Sequence, residues 1–215
     1  MKFTLITETD ARMLPVGSTV ELAEGGHVTP LARDTLRERR VTVVTLGAYD
    51  AELPTDLAPA SPVARVAIGS DHTGVALKAS LVGYLRAQGL AVDDLGVDAA
   101  ATPADYPDTA AAVARAVARG QADAGIVIDG SGIGSAIAAN KVGGIRAAVA
   151  ADERTARYAR EHNGANVLAL GATLVPGDGE ARRIVDTWLR TPMREPRYIR
   201  RLLKIRRLEE EERRS

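Results

Sequence analysis

Beyond residue 63, short apolar runs alternate with longer segments of helical period. Val66–Ile68, Ala91–Val92 leading to Asp94, Ile126–Ile128, Arg146–Val149 and Val167–Leu170 have the length and β-branched content of buried strands. Between them the pattern predicts helices over Val75–Gln88, Tyr106–Arg119, Ile133–Asn140, Asp152–His162 and Glu180–Leu189, with a last long one over Arg197–Glu212. Gly89 and Gly120 stand where the first two should stop. Strand and helix in regular alternation imply an α/β fold with a parallel five-stranded sheet flanked by helices, because parallel neighbours need crossover connections. In such sheets ligands sit past the carboxyl ends of the strands, where strand order reverses.

The first 47 residues read as a separate, small α+β appendage. Thr7-Glu8-Thr9-Asp10 is a helix start, Pro15–Ser18 a turn, and Thr19–Leu22 and Val41–Val44 are short strands. Thr29 and Pro30 fit the N-cap and first position of a helix reaching Arg39. So little apolar material predicts a unit that docks on something larger. Residues 48–62, with Pro54, Pro59 and Pro62, read as a semi-extended linker, which leaves 63–215 as the main domain.

Composition narrows the function classes. Lys plus Arg equals Asp plus Glu, 28 each, so no basic field points to a nucleic acid. No apolar run is long enough to span a bilayer, and no signal-peptide core opens the chain. Cysteine is absent, which removes disulfide and thiol chemistry and fits a cytoplasmic protein.

The chemistry concentrates in Ala124–Lys141. A strand ends in the carboxylate of Asp129 and breaks into Gly130-Ser131-Gly132-Ile133-Gly134 before a helix begins. Glycine allows positive φ and close approach of a ligand to the backbone, and the following helix points its positive end at the same place. An anion beside a carboxylate is the expected occupant. Asp71-His72, Asp129–Ser135, and Asn163 with Asn166 are the residues expected to converge there. Blander readings stand beside these: Asp129 or Ser131 as helix caps, Asp71-His72 as surface polarity, and the arginine-rich tail as a solvated or subunit-contacting face.

Six fragments occur in order: Gly69-Ser-Asp-His72, Asp105-Tyr-Pro107, Gly130-Ser-Gly-Ile-Gly134, Ala138-Ala-Asn-Lys141, Gly144-Ile-Arg146 and His162-Asn-Gly-Ala-Asn166. Together they resemble the type B ribose 5-phosphate isomerase family, which includes galactose 6-phosphate isomerase subunits, over residues 64–210. The resemblance implies a Rossmann-like sheet, no metal or organic cofactor, and a homodimer or tetramer with active sites built across the interface. It implies an aldose–ketose shift of a sugar phosphate through an enediolate, most simply ribose 5-phosphate to ribulose 5-phosphate. By position, the loop carrying Gly130, Gly132 and Gly134 binds the anion, and Ser131 and His162 assist ring opening. Asp71, Tyr106 and Asn163 contact the sugar, and His72 lies near the phosphate. Arg197 and Arg201 reach the phosphate held by the partner subunit.

Two positions depart from that pattern. Members of the family carry a cysteine base where this chain has Asp129, or a glutamate where it has Ser135. Asp129 is the stand-in, with desolvation expected to raise its pKa toward the working pH. Thr173 replaces a phosphate-binding arginine, at an expected cost of ~1.5–3 kcal/mol in affinity. The departures leave room for a catalytically altered protein that binds a sugar phosphate or serves assembly, and for a metal-assisted enzyme using Asp71, His72 and Asp129. Gly-x-Gly-x-Gly alone is a partial dinucleotide fingerprint without the final spacing. The N-terminal segments Ile6-Thr7-Glu8 and Val28–Asp34 resemble, more weakly, segments of enzymes associated with bacterial microcompartments. Docking in such an assembly is one expectation for them; a stabilising flap or dimer contact is the other.

Overall fold

The computed structural model describes residues 2–45 and 57–213, so the first nine residues of the expected linker lie outside the described residues. The chain divides into two compact units, 1–53 and 54–215.

The first unit runs β1 (Lys2–Ile6), α1 (Glu8–Met13), β2 (Thr19–Val28), α2 (Pro30–Glu38) and β3 (Thr42–Thr45). Its three strands are parallel, in the order β1-β2-β3. The helix starts follow from their caps. Thr7 and Asp10 form a reciprocal capping box, and the Thr29 hydroxyl accepts from the Ala32 amide at 3.3 Å ahead of Pro30. Ile6, Ala11, Leu14, Val20, Leu22, Ala32, Leu36 and Val41 make a core of its own. β1 has no strand signature in the sequence because an irregularity between Phe3 and Leu5 breaks its alternation. β2 runs on past the expected Thr19–Leu22 through Gly25-Gly26 to Val28.

The second unit runs β4 (Arg65–Ser70), α3 (Val75–Ala87), β5 (Ala91–Asp94), α4 (Tyr106–Ala118), β6 (Ala124–Asp129), α5 (Ile133–Ala139), β7 (Ala147–Val149), α6 (Glu153–Asn163), β8 (Val167–Gly171), α7 (Gly177–Arg190) and α8 (Pro196–Glu212). All five strands are parallel, as the alternation predicts, and their order is β5-β4-β6-β8-β7. Every residue of β6 is buried. Side chains alternate by size across the sheet. Val66, Ile68, Ile126, Ile128, Leu168 and Leu170 pack with Leu81, Leu85, Ile184 and Trp188 on one face. Ala67, Val127 and Ala169 meet Val113, Ala114, Ala136 and Ala139 on the other. Small residues on that second face let α4 and α5 approach closely: a Cβ on Gly125 would lie 2.7 Å from Val113.

Two buried cations lie among these elements. Lys78 Nζ reaches Asp94 at 2.5 Å and Asp98 at 3.1 Å. The Arg160 guanidinium donates to the carbonyls of Ala165 and Ala60, both at 2.8 Å, and lies over the Trp188 ring at 4.8 Å. Burial, with Arg146 nearby, lowers its pKa to about 10. Strand order reverses between β4 and β6, so the carboxyl ends of those two strands form the crevice where a ligand is expected.

Candidate active site

Asp71, at the end of β4, donates its amide to the Ile128 carbonyl of β6 at 3.2 Å, which sets the two loops side by side. Its carboxylate accepts from the Thr73 amide at 2.9 Å and the Thr73 hydroxyl at 2.6 Å. The exposed His72 ring lies 3.4 Å from the Ala104 carbonyl, in the loop before α4. Tyr106, the first residue of α4, packs on the glycine loop so closely that a Cβ on Gly134 would fall 2.7 Å from its ring. Gly132 takes φ +77° and leans on the β8 end, where a Cβ would meet the Leu170 carbonyl carbon at 2.9 Å. The Thr173 hydroxyl ties the next loop to the Gly130 carbonyl at 2.5 Å. The carboxyl ends of β4 and β6 thus gather Asp71, His72, Tyr106, Asp129 and Gly130–Ser135.

The state of Asp129 differs from the expectation. Its Oδ1 accepts from the amides of Ser131 (2.7 Å) and Gly132 (2.5 Å), and its Oδ2 from the amide of Ser135 (2.7 Å). The Ser131 hydroxyl stands at 3.4 Å from Oδ1 and accepts from the Ile133 amide at 3.2 Å, as a cap of α5 does. Burial is the largest single influence on Asp129 and raises its pKa. The donors of Ser135, Ser131 and Gly132 together outweigh it, and the carboxyl sits below its ordinary range. The Ser135 hydroxyl contributes electrostatically, although it is buried without a partner at hydrogen-bond geometry. Two corrections follow. Desolvation does not raise Asp129 toward neutrality, and two of the amides expected to receive a substrate anion, those of Ser131 and Gly132, already hold the protein's own carboxylate.

A third correction concerns convergence. His162 and Asn163 close α6, and Asn166 precedes β8, so they lie at the amino ends of the strands. The Asn166 carbonyl accepts from the Gly125 amide at 2.9 Å, one residue into β6, whereas Asp129 ends it. The length of β6, roughly 3.3 Å per residue, separates the two groups within one chain. The turn after α6 opens β8 and does not close a strand, which puts it at the opposite end of the sheet from the one expected.

His162 belongs instead to an aromatic stack with Tyr158 (centroids 4.7 Å, 15° between planes) and Tyr198 of α8 (4.6 Å, 34°). Arg197 lies over the Tyr198 ring at 4.8 Å and donates to its hydroxyl at 2.9 Å, and Arg201 lies over the same ring at 5.6 Å. The Asn163 side chain turns back to the Tyr158 carbonyl at 2.9 Å. Tyr198 is the residue that sequence reasoning misses. Its signal is the Arg197-Tyr198-x-x-Arg201 spacing, which puts one aromatic ring within reach of two guanidinium groups. Among the described residues no three of His, Cys, Asp and Glu gather as a metal site, and no helix is long and apolar enough to cross a membrane.

The family model described as Ribose/Galactose Isomerase matches residues 66–205, which includes both clusters. The chain belongs to that family. It is a sugar-phosphate isomerase by class, with the aldose–ketose chemistry the family shares. Ribose-5-phosphate isomerase B of Escherichia coli is 46% identical over 125 residues, 58% of this chain and 83% of that one. D-Erythrulose-4-phosphate isomerase of Pectobacterium atrosepticum is 42% identical over 124 residues, 58% of this chain and 81% of its own length. Among solved structures, ribose-5-phosphate isomerase B of Clostridium thermocellum superposes with a TM-score of 0.66 at 46% identity, covering 68% of this chain and 98% of that one. The Mycoplasma genitalium enzyme with bound ribulose-5-phosphate gives 0.66 at 42% identity, covering 68% and 97%.

Proposed function

We propose that this protein interconverts ribose 5-phosphate and ribulose 5-phosphate at composite sites made by two copies of the chain. The observation that carries the reading is the division of the family's site residues into two intact clusters at opposite ends of one sheet. A second copy that brings its His162 cluster to the crevice between β4 and β6 completes the set. Ile133 and Ile137 of α5 and Leu174 are exposed apolar side chains near that crevice, which suits contact between copies.

In this reading Asp129 takes the proton from the carbon beside the carbonyl and returns it to the neighbouring carbon. Its lowered pKa keeps it ionised at any working pH and makes it a weaker base than a carboxylate tuned upward. Ser131 and the partner copy's equivalent of His162 assist ring opening. Asp71, Tyr106 and the second copy's Asn163 position the sugar, with His72 near the phosphate. Arg197 and Arg201 of that copy bind the phosphate dianion, and their i, i+4 spacing suits two guanidinium groups on one helix face. The match to an erythrulose phosphate isomerase keeps a four-carbon sugar phosphate as the competing substrate.

A second reading rests on the Asp129 cage itself: a carboxylate held by three amides is a structural cap, and the protein then binds a sugar phosphate without turning it over. A coupled assay with ribose 5-phosphate separates the two. Turnover by the wild type that Asp129→Asn abolishes supports the base; a wild type that binds the sugar phosphate without turnover supports the cap. For residues 1–47 we propose docking within a microcompartment. Unchanged co-purification with shell proteins after deletion of residues 1–53 would count against it.

A further inference from the structure

Residues 57–62 belong to what the sequence reads as a linker, and they precede the family-matched region, which begins at residue 66. They are nonetheless built into the second unit. Leu57 is 5% exposed and packs in a cluster with Met193, Tyr198 and Leu202 of the α8 segment. Two arginines clamp the backbone around it. Arg146 Nη2 donates to the Leu57 carbonyl at 3.0 Å, and Arg160 Nη2 donates to the Ala60 carbonyl at 2.8 Å. Arg160 is fully buried and its guanidinium donates to two carbonyls, one of them in this segment. A buried guanidinium left without an acceptor is costly, so the segment is fixed rather than merely adjacent.

The Leu57 cluster has a second side. Tyr198, one of its members, is the ring on which His162 stacks and over which Arg197 and Arg201 lie. A gap beneath Tyr198 would be filled by movement of that ring, because interiors are close-packed and a lost side chain draws its neighbours inward. Each group stacked on the ring would move with it.

We infer that residues 57–60 are a strap that positions α8, with Leu57 as a positioning residue that sets Tyr198 and through it His162, Arg197 and Arg201. The inference rests on the reading of those three as substrate groups, but the coupling can be observed apart from catalysis. The strap gives this chain a route by which residues ahead of the family domain tune phosphate recognition, and it acts on the arm of the site that a second copy would receive.

The test uses the full-length chain with Leu57→Ala and Leu57→Met, and Leu57→Val should Leu57→Ala fail to fold. The three histidines give three imidazole Cε1–H signals by NMR. Leu57→Ala is expected to shift the His162 signal while His27 and His72 stay in place, and to raise KM for ribose 5-phosphate by about tenfold with a smaller fall in kcat. Leu57→Met should restore both, since it fills nearly the same volume, and Leu57→Val should fall between. An unmoved His162 signal in the folded truncated variant overturns the inference, whatever KM does. A moved signal with KM unchanged overturns it as well. If the wild type has no turnover while the signal moves, the isomerase reading fails and the coupling from strap to cluster stands.

Discussion

Asp129→Asn tests the cage directly. The carboxylate takes three amides, two of them buried, and an asparagine can serve only the pair on Oδ1. Its amide nitrogen must then face the Ser135 amide, a donor against a donor, at a residue 1% exposed where no water can take over. Losing one charge-assisted bond costs about 1.5–3 kcal/mol. Neutralising the acceptor for the other two adds to that, so we expect a loss of about 3–4 kcal/mol at pH 7. An exposed helix cap would cost only about 1 kcal/mol. Trp188 is the single tryptophan and is fully buried in the core of the second unit, so its fluorescence during urea unfolding reports that unit alone. The pH dependence has a fixed sign. A carboxyl whose folded pKa is depressed stabilises fully above its unfolded value of about 3.9 and loses that contribution as pH falls through the folded value. The gap between wild type and variant should therefore be flat from pH 8 to about 5 and close below about 4. A gap under about 1 kcal/mol at pH 7, or one already closing at pH 6, would refute the cage as drawn.

Two further perturbations follow from the same loop. Gly132→Ala places a Cβ 2.9 Å from the Leu170 carbonyl carbon at φ +77° and should destabilise the second unit by about 2–4 kcal/mol in the same fluorescence assay; a loss below about 1 kcal/mol would show that the loop can rearrange. Thr173→Arg puts a guanidinium on an exposed position beside the crevice, at the expense of the bond to the Gly130 carbonyl. It should tighten inhibition by sugar phosphates about tenfold, and unchanged inhibition would mean that Thr173 does not face the phosphate.

The fold of the second unit was legible because its signals are local. The apolar runs Val66–Ile68 and Ile126–Ile128, and the glycines after α3 and α4, place strands and helix ends with little help from tertiary contacts. β1 was not legible, since the irregularity at Phe3–Leu5 hides its period. Leu57 gives no local sign that it is buried, because what buries it is a helix more than 130 residues away. At the site, the sequence pointed to Asp71, His72 and Asp129–Ser135 at one crevice, which the strand ends bring together, but not to the protonation of Asp129 or to the end of the sheet that His162 occupies. The pKa direction of Asp129 is decided by amides from Ser131, Gly132 and Ser135, whose aim depends on the turn geometry. The separation of His162 from Asp129 depends on whether a turn precedes or follows its strand, and only the strand pairing fixes that.

In the proposed site the His162 cluster of one copy serves the Asp129 crevice of another. Asp129→Asn and His162→Ala chains, each inactive on ribose 5-phosphate alone, should recover turnover when mixed under conditions of subunit exchange. Random pairing in a dimer gives half mixed species with one intact site each, or about a quarter of wild-type activity. No recovery, with exchange verified by mass, would contradict a site shared between copies.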